Sequence, residues 1–109
     1  RIIEIGGHTI SHLKLAKIPE NEQLKEISEG KRIIEETVGF PLLSFAYPFG
    51  AKDSFNKTTI ELVKKAGFHY ACANIHKRVT NRSNIYALPR FIARNWNLAE
   101  FKKQTKKWV

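Results

Sequence analysis

Two histidines four residues apart follow a glycine pair in Gly6-Gly7-His8-Thr9-Ile10-Ser11-His12. Imidazoles at this spacing meet on one side of a helical turn, within reach of a single metal ion. The preceding glycines place the pair at the C-terminal end of a strand, where α/β proteins keep their sites. The bland alternative is a chance pair, one ring partly buried and the other exposed. The glutamate that would follow the first histidine of a metalloprotease helix is replaced by Thr9, so that class is excluded. Cys72 is the only cysteine, which rules out an intrachain disulfide and a cysteine-based zinc site. Within Tyr70-Ala71-Cys72-Ala73 it reads as a buried, inert thiol. Asp53 is the only aspartate and falls in a loop after the Pro48–Gly50 turn.

The elements that must hold these groups follow from periodicity and breakers. Arg1 to Gly7 is β-branched and ends in glycine, a strand entering a tight turn. Pro19 suits a first helical position, and Glu20 and Glu22 suit a helix N-terminus. Leu24, Ile27, Ile34 and Val38 form one helical face, which Gly39 and Pro41 terminate. Leu42 to Tyr47 reads as a buried strand ended by Pro48 and Gly50. A second helix is expected over about Phe55 to Ala66, with Phe55, Thr59, Leu62, Val63 and Ala66 inward and Gly67 closing it. Phe68 to Ile75 reads as a strand and His76 to Asn84 as a loop. Ile85 to Ala93 reads as an edge or bulged strand around Pro89. Asn97-Leu98-Ala99-Glu100 opens a basic last helix reaching about Trp108. This alternation predicts α/β architecture with a parallel sheet, in a single domain spanning residues 1–109.

Nineteen Lys and Arg against ten Asp and Glu give a net charge of +9 on 109 residues. Such a surplus favours polyanions, whether nucleic acid, anionic envelope polymers or acidic lipid head groups, although it also serves simply to keep a small domain in solution. Lys102, Lys103, Lys106, Lys107 and Trp108 form a cationic, aromatic tail. The competing reading is an amphipathic helix with Leu98, Phe101 and Thr105 packed inward. No apolar run approaches the roughly 18–20 residues of a membrane-spanning helix. The chain opens on Arg1 and contains no Met, so a piece of a longer protein is expected.

Glu4 to His12 resembles the metal-binding H-[ST]-x-x-H motif of the polysaccharide deacetylases, the NodB-homology carbohydrate esterases. Ser44-Phe45-Ala46-Tyr47-Pro48-Phe49-Gly50 resembles that family's next motif in a variant form, F-A-Y-P-[FY]-G. Ile60 to Phe68 is similar to the helix and turn that follow, and Leu88-Pro89-Arg90 to a late segment. The four stand in register from Arg1 to about Asn95.

The resemblance implies a distorted, incomplete (β/α) barrel, of which this chain is the C-terminal part. It implies a hydrolase that removes N-acetyl groups from a polysaccharide: peptidoglycan, a chitin-like polymer or poly-N-acetylglucosamine. Family members hold a divalent metal, usually Zn²⁺, with two histidines and an aspartate, and use a second aspartate as general base. His8 and His12 carry over as metal ligands, with Thr9 or Ser11 steadying them. Tyr47 matches the oxyanion-hole backbone position, and Pro48 and Phe49 match the wall of the sugar groove. Ala46 stands where the family has an arginine, and Arg90 is the candidate replacement from another strand. The family's Asp-Asp pair lies upstream of the histidines and is absent here, so this chain alone is expected to be a poor catalyst or none. The implied setting is extracellular or the cell envelope. Nucleic acid is not an expected partner of such a hydrolase; the alternative is a non-catalytic basic module binding a polyanion such as nucleic acid or an anionic cell-envelope polymer. His69 and His76 match no motif and read as structural or exposed. An open barrel edge predicts a homodimer or association with a partner.

Overall fold

The computed structural model describes residues 2–109. A 3₁₀ turn at Leu15–Lys17 precedes helix α1 (Glu20–Val38), strand β1 (Ser44–Ala46), helix α2 (Lys57–Lys65), strand β2 (Tyr70–Cys72) and helix α3 (Leu98–Lys106). Pro19 caps α1 instead of occupying its first helical position, with ψ at 152° and its carbonyl accepting the Gln23 amide. The helix ends as expected at Gly39, in the left-handed region at φ 80°. Asn56 and Thr59 form a reciprocal capping box, which starts α2 two residues later than the apolar pattern suggested. Asn97 caps α3 by accepting the Glu100 amide.

β1 and β2 pair in parallel, Phe45 opposite Ala71. Single parallel bridges extend the sheet on both sides, Gly7 to Phe45 and Cys72 to Leu88. The predicted strand over residues 1–7 reduces to that one bridge. Arg1 lies outside the described residues, Ile2 and Ile3 are exposed, and the described stretch meets the sheet ladder at Gly7. Hydrogen bonding between residues 71–75 and 85–90 continues beyond β2. Pro89 has no N–H to donate, so the predicted strand over 85–93 never becomes a regular ladder.

The two faces of the sheet differ. Phe45, Tyr47, Ala71 and Ala73 point toward α1 and α2 and are buried with Ile27, Leu62, Val63 and Phe68. Phe45 lies 5.2 Å from Phe68, and Tyr47 stacks on Phe55 at 4.2 Å. Thr59 Oγ1 donates to Gln23 Oε1 at 2.7 Å, tying the two helices through a buried polar bond. Ser44, Ala46, Tyr70 and Cys72 alternate to the opposite face and are only half-buried. Cys72 is therefore not the buried thiol its neighbours suggested. No α3 residue is buried: Leu98 and Phe101 are exposed, so the expected apolar face of that helix is not packed. Among the described residues no helix is long and apolar enough to cross a membrane.

Candidate active site

The open face of the sheet carries the histidines. His8 Nδ1–H donates to the Ala46 carbonyl at 2.7 Å. With Nδ1 committed as donor, the neutral ring leaves the Nε2 lone pair for a metal or a proton. The His12 ring lies 4.8 Å from that of His8, centroid to centroid, at 64°. The pair meets as the spacing implied, but by another route. Residues 8–12 form no helical turn, because Thr9 and His12 both adopt positive φ, 64° and 57°, and fold the loop back on itself.

Such a conformation costs a β-branched residue about 1–3 kcal/mol and persists only where its surroundings hold it. Three restraints do so here. The His12 amide donates to Thr9 Oγ1 at 3.1 Å. The Glu26 carboxylate, from α1, accepts the Ile10 and Ser11 amides at 2.8 and 2.9 Å. Gly30, one helical turn on, lets the loop lie on the helix, since a Cβ there would come 3.1 Å from the Thr9 carbonyl carbon. Burial alone would raise the Glu26 carboxyl. The hydrogen bonds from Ser11 and Ile10, with the Lys25 charge, outweigh burial and hold it below the usual glutamate range.

The second wall is the turn after β1. Phe49 is the third non-glycine residue at positive φ, 66°, and the described residues contain no other. Its ring lies edge-on to His12 at 4.8 Å, with Lys14 Nζ 5.5 Å from its centroid. Lys14 also pairs with Asp53 at 3.2 Å, and that lysine holds the Asp53 carboxyl below its ordinary range. Asp53 is thus engaged with Lys14, and among the described residues it forms no metal-holding group with the histidines. Phe49 is half-exposed, whereas Pro48 is fully buried. Pro48 accordingly shapes the turn from within and cannot form the groove wall the motif suggested. The Tyr47 phenol is buried as well and donates to the Tyr86 carbonyl at 2.6 Å. Burial first, then Tyr86 and Cys72 nearby, push that phenol far above its usual range. The Tyr47 amide donates to the Cys72 carbonyl at 3.2 Å.

Arg90 is brought to the same hollow as His8, a space of about 280 Å³ that Glu4, Tyr70 and Cys72 also line. Its Nε donates to the Ala73 carbonyl at 3.2 Å and its Nη2 to Asn74 Oδ1 at 2.8 Å. Asn74 Nδ2 in turn donates to the Phe49 carbonyl at 2.9 Å. Tyr70 donates to the Glu4 carboxylate at 2.7 Å, which raises the phenol. Sequence reasoning missed Asn74, Glu4 and Glu26. A signal existed for Glu26, which shares with Gln23, Ile27 and Gly30 the face of α1 that is buried. His69 is exposed, and His76 is exposed against Phe91, its ring 4.6 Å away.

Two imidazoles this close, one with its tautomer fixed, suit a divalent ion of the zinc type. Among the described residues no group of three or more His, Cys, Asp or Glu side chains is placed to hold a metal. The two histidines by themselves would give an incomplete donor set.

A poly-β-1,6-N-acetyl-D-glucosamine N-deacetylase of Staphylococcus aureus is 29% identical over 79 residues, which are 72% of this chain and 26% of that protein. The chain spans less than a third of the length of the curated relatives it matches. Among solved structures, the Streptococcus pyogenes deacetylase PplD, determined with acetate, aligns over 90% of this chain and 42% of its own, with a TM-score of 0.78 and 18% identity. BC0361, a polysaccharide deacetylase from Bacillus cereus, aligns over 94% of this chain and 32% of its own, with a TM-score of 0.77 and 22% identity. These two likenesses are of fold. The polysaccharide deacetylase family itself matches residues 2–71, well over half of the sequence. The chain belongs to the polysaccharide deacetylase family.

Proposed function

We propose that this chain is the C-terminal, histidine-bearing part of a (β/α) barrel whose whole removes N-acetyl groups from a polysaccharide at the cell surface. The observation that carries this reading is the pairing of His8, fixed through Nδ1 to Ala46, with His12 at 4.8 Å. His8 and His12 would hold a divalent metal, Zn²⁺ by the chemistry of the donors. Such an ion supplies Lewis acidity toward the acetyl carbonyl and lowers the pKa of bound water.

The chain's own residues do the rest. The Ala46 carbonyl keeps the His8 proton on Nδ1, away from the metal-facing nitrogen. Exposed Phe49, stacked edge-on against His12, gives a sugar ring an apolar floor. Arg90 offers a guanidinium to the oxygen that gains negative charge, held in place by Ala73 and Asn74. The Tyr47 amide serves the same oxygen only by exchanging its long bond to Cys72. The general base and third ligand would come from outside these residues, so the isolated chain binds metal weakly and turns over little or no substrate. Association of two copies through the sheet edge at Gly7 belongs to the same proposal, and sedimentation of a folded monomer would remove it.

The test is zinc titration of the chain by calorimetry, followed by acetate release from acetylated oligosaccharides by a longer form carrying the upstream segment. One zinc bound in the chain and lost in His12→Ala supports the reading. Zinc binding indifferent to both histidines overturns it.

A further inference from the structure

The positive charge of this protein is not spread evenly. Residues 73–109 contain nine Lys or Arg and one acid, Glu100, a net +8 of the total +9. The ion pairs among the described residues all lie between Lys14 and Lys64, so the cations of the last third face no carboxylate partner. Glu100 is itself occupied, accepting from Gln104 Nε2 at 2.7 Å.

This basic third encloses a cleft of about 360 Å³ lined by Asn74, His76, Arg90, Arg94, Trp96 and Gln104. Behind it Phe91 and Trp108 stack in parallel, 4.8 Å apart at 7°, with Trp96 6.2 Å from Trp108. The Trp96 ring, which lines the cleft, suits the C–H face of a pyranose, and the amides of Asn74 and Gln104 suit its hydroxyls. Two guanidinium groups and an imidazole, with no carboxylate among the lining residues, suit an anion. The Arg94 side chain is exposed and makes no hydrogen bond or ion pair among the described residues, unlike that of Arg90. Arg90 lines both this cleft and the hollow that holds His8, so the two spaces adjoin. Every cleft residue also lies beyond the stretch the family matches.

We propose that this cleft is a subsite for a sugar unit bearing a carboxylate, next to the unit whose acetyl group faces His8 and His12. The glycan recognised is then an acidic one. The assignment rests on reading the histidine face as a polysaccharide site. It is favoured over a nucleic-acid groove because Trp96 is the one Phe, Tyr or Trp lining the cleft, while Phe91 and Trp108 are spent stacking on each other. They do not splay along a track as stacking platforms for successive bases do.

The chain's two tryptophans both sit here, so intrinsic fluorescence reads the cleft directly. The protein is titrated, with EDTA present, against the disaccharide of N-acetylglucosamine and N-acetylmuramic acid and against neutral chitobiose. The acidic disaccharide should half-saturate the signal at a concentration about tenfold lower than the neutral one, a difference that high salt weakens. Arg94→Gln should erase that preference while leaving the far-ultraviolet circular dichroism unchanged. Equal affinities, no response, or a preference retained in Arg94→Gln would overturn the proposal. A short oligothymidylate saturating below the acidic disaccharide would do the same and mark a nucleic-acid surface. Because EDTA removes metal from the measurement, failure of the deacetylase reading leaves this readout intact. Zinc held by the histidines without any acid preference would sink the subsite alone.

Discussion

The Glu26 carboxylate and the Ser11 amide stand 2.9 Å apart, joining helix α1 to the loop that carries both histidines. The same carboxylate takes the Ile10 amide, so one side chain satisfies two donors of a loop that has no regular structure. Hydrogen bonds to a charged group contribute about 1.5–3 kcal/mol, and Glu26→Ala should cost stability in that range. Zinc affinity should fall with it, since the backbone between the ligands loses its anchor.

The same contact sets a pH dependence. The folded-state carboxyl of Glu26 is held below its unfolded value. Its contribution is then fully present above the unfolded pKa of about 4.3 and is lost as pH falls through the lower folded value. Denaturant midpoints measured downward from neutral pH should drop below about pH 4 in the wild type. In Glu26→Gln that acid-side drop should be shallower, from a lower starting stability.

The histidine pair predicts unequal consequences for its two rings. His8 is held by Ala46, whereas His12 is placed by its strained backbone and by Phe49. Phe49→Gly relieves the positive φ but removes the ring against His12. It should weaken zinc binding by about threefold to tenfold, with little loss of thermal stability. Calorimetric zinc titration of Phe49→Gly beside wild type checks this, and an unchanged affinity would show that the ring does not position His12.

Thr59 joins a helix cap to a buried bond. Its hydroxyl donates to Gln23 Oε1 and also accepts the Asn56 amide in the capping box. Thr59→Val keeps the shape and removes both bonds. The Asn56 side chain still accepts the backbone amide of residue 59, so the cap is only halved, and the larger loss is the unsatisfied Gln23 oxygen, about 1–3 kcal/mol. A fall of about 1–3 kcal/mol in unfolding free energy is expected from urea denaturation.

Periodicity and breakers were enough to read the helices and the two central strands, because Ile27, Leu62 and Val63 repeat on faces that are in fact buried. The outer strands were over-read. Residues 2–6 have the composition of a strand, yet among the described residues only the adjoining Gly7 bridges to the sheet, and pairing is a tertiary property. The histidines were legible from spacing, yet the spacing suggested a helical turn, and only backbone angles reveal the folded-back loop at Thr9 and His12. Pro48 and Phe49 read alike in the sequence, yet one is buried and the other exposed, because the direction of a side chain within a turn is not written in composition. Asn74 was hidden for a similar reason: its two bonds join positions 25 and 16 residues away.

Gly50 is the position where this network admits no side chain. It sits at φ 69°, and a Cβ would lie 2.7 Å from the Asn74 amide nitrogen and 2.9 Å from its carboxamide carbon. The Gly50 carbonyl meanwhile accepts that amide at 2.8 Å. Gly50→Ala must therefore push the turn away from Asn74, which releases the Phe49 carbonyl on one side and Arg90 on the other. The left-handed backbone alone makes the substitution cost about 1 kcal/mol, and the contact with backbone atoms adds to it. Asn74→Ala breaks the two side-chain bonds but leaves the turn unobstructed, so it should be the milder change in thermal stability. In a longer, active form both variants should raise KM or lower kcat, since each frees Arg90. If Gly50→Ala melted at the wild-type temperature, the close approach of the turn to Asn74 would be wrong, and with it the route by which Phe49 and Arg90 are held as one unit.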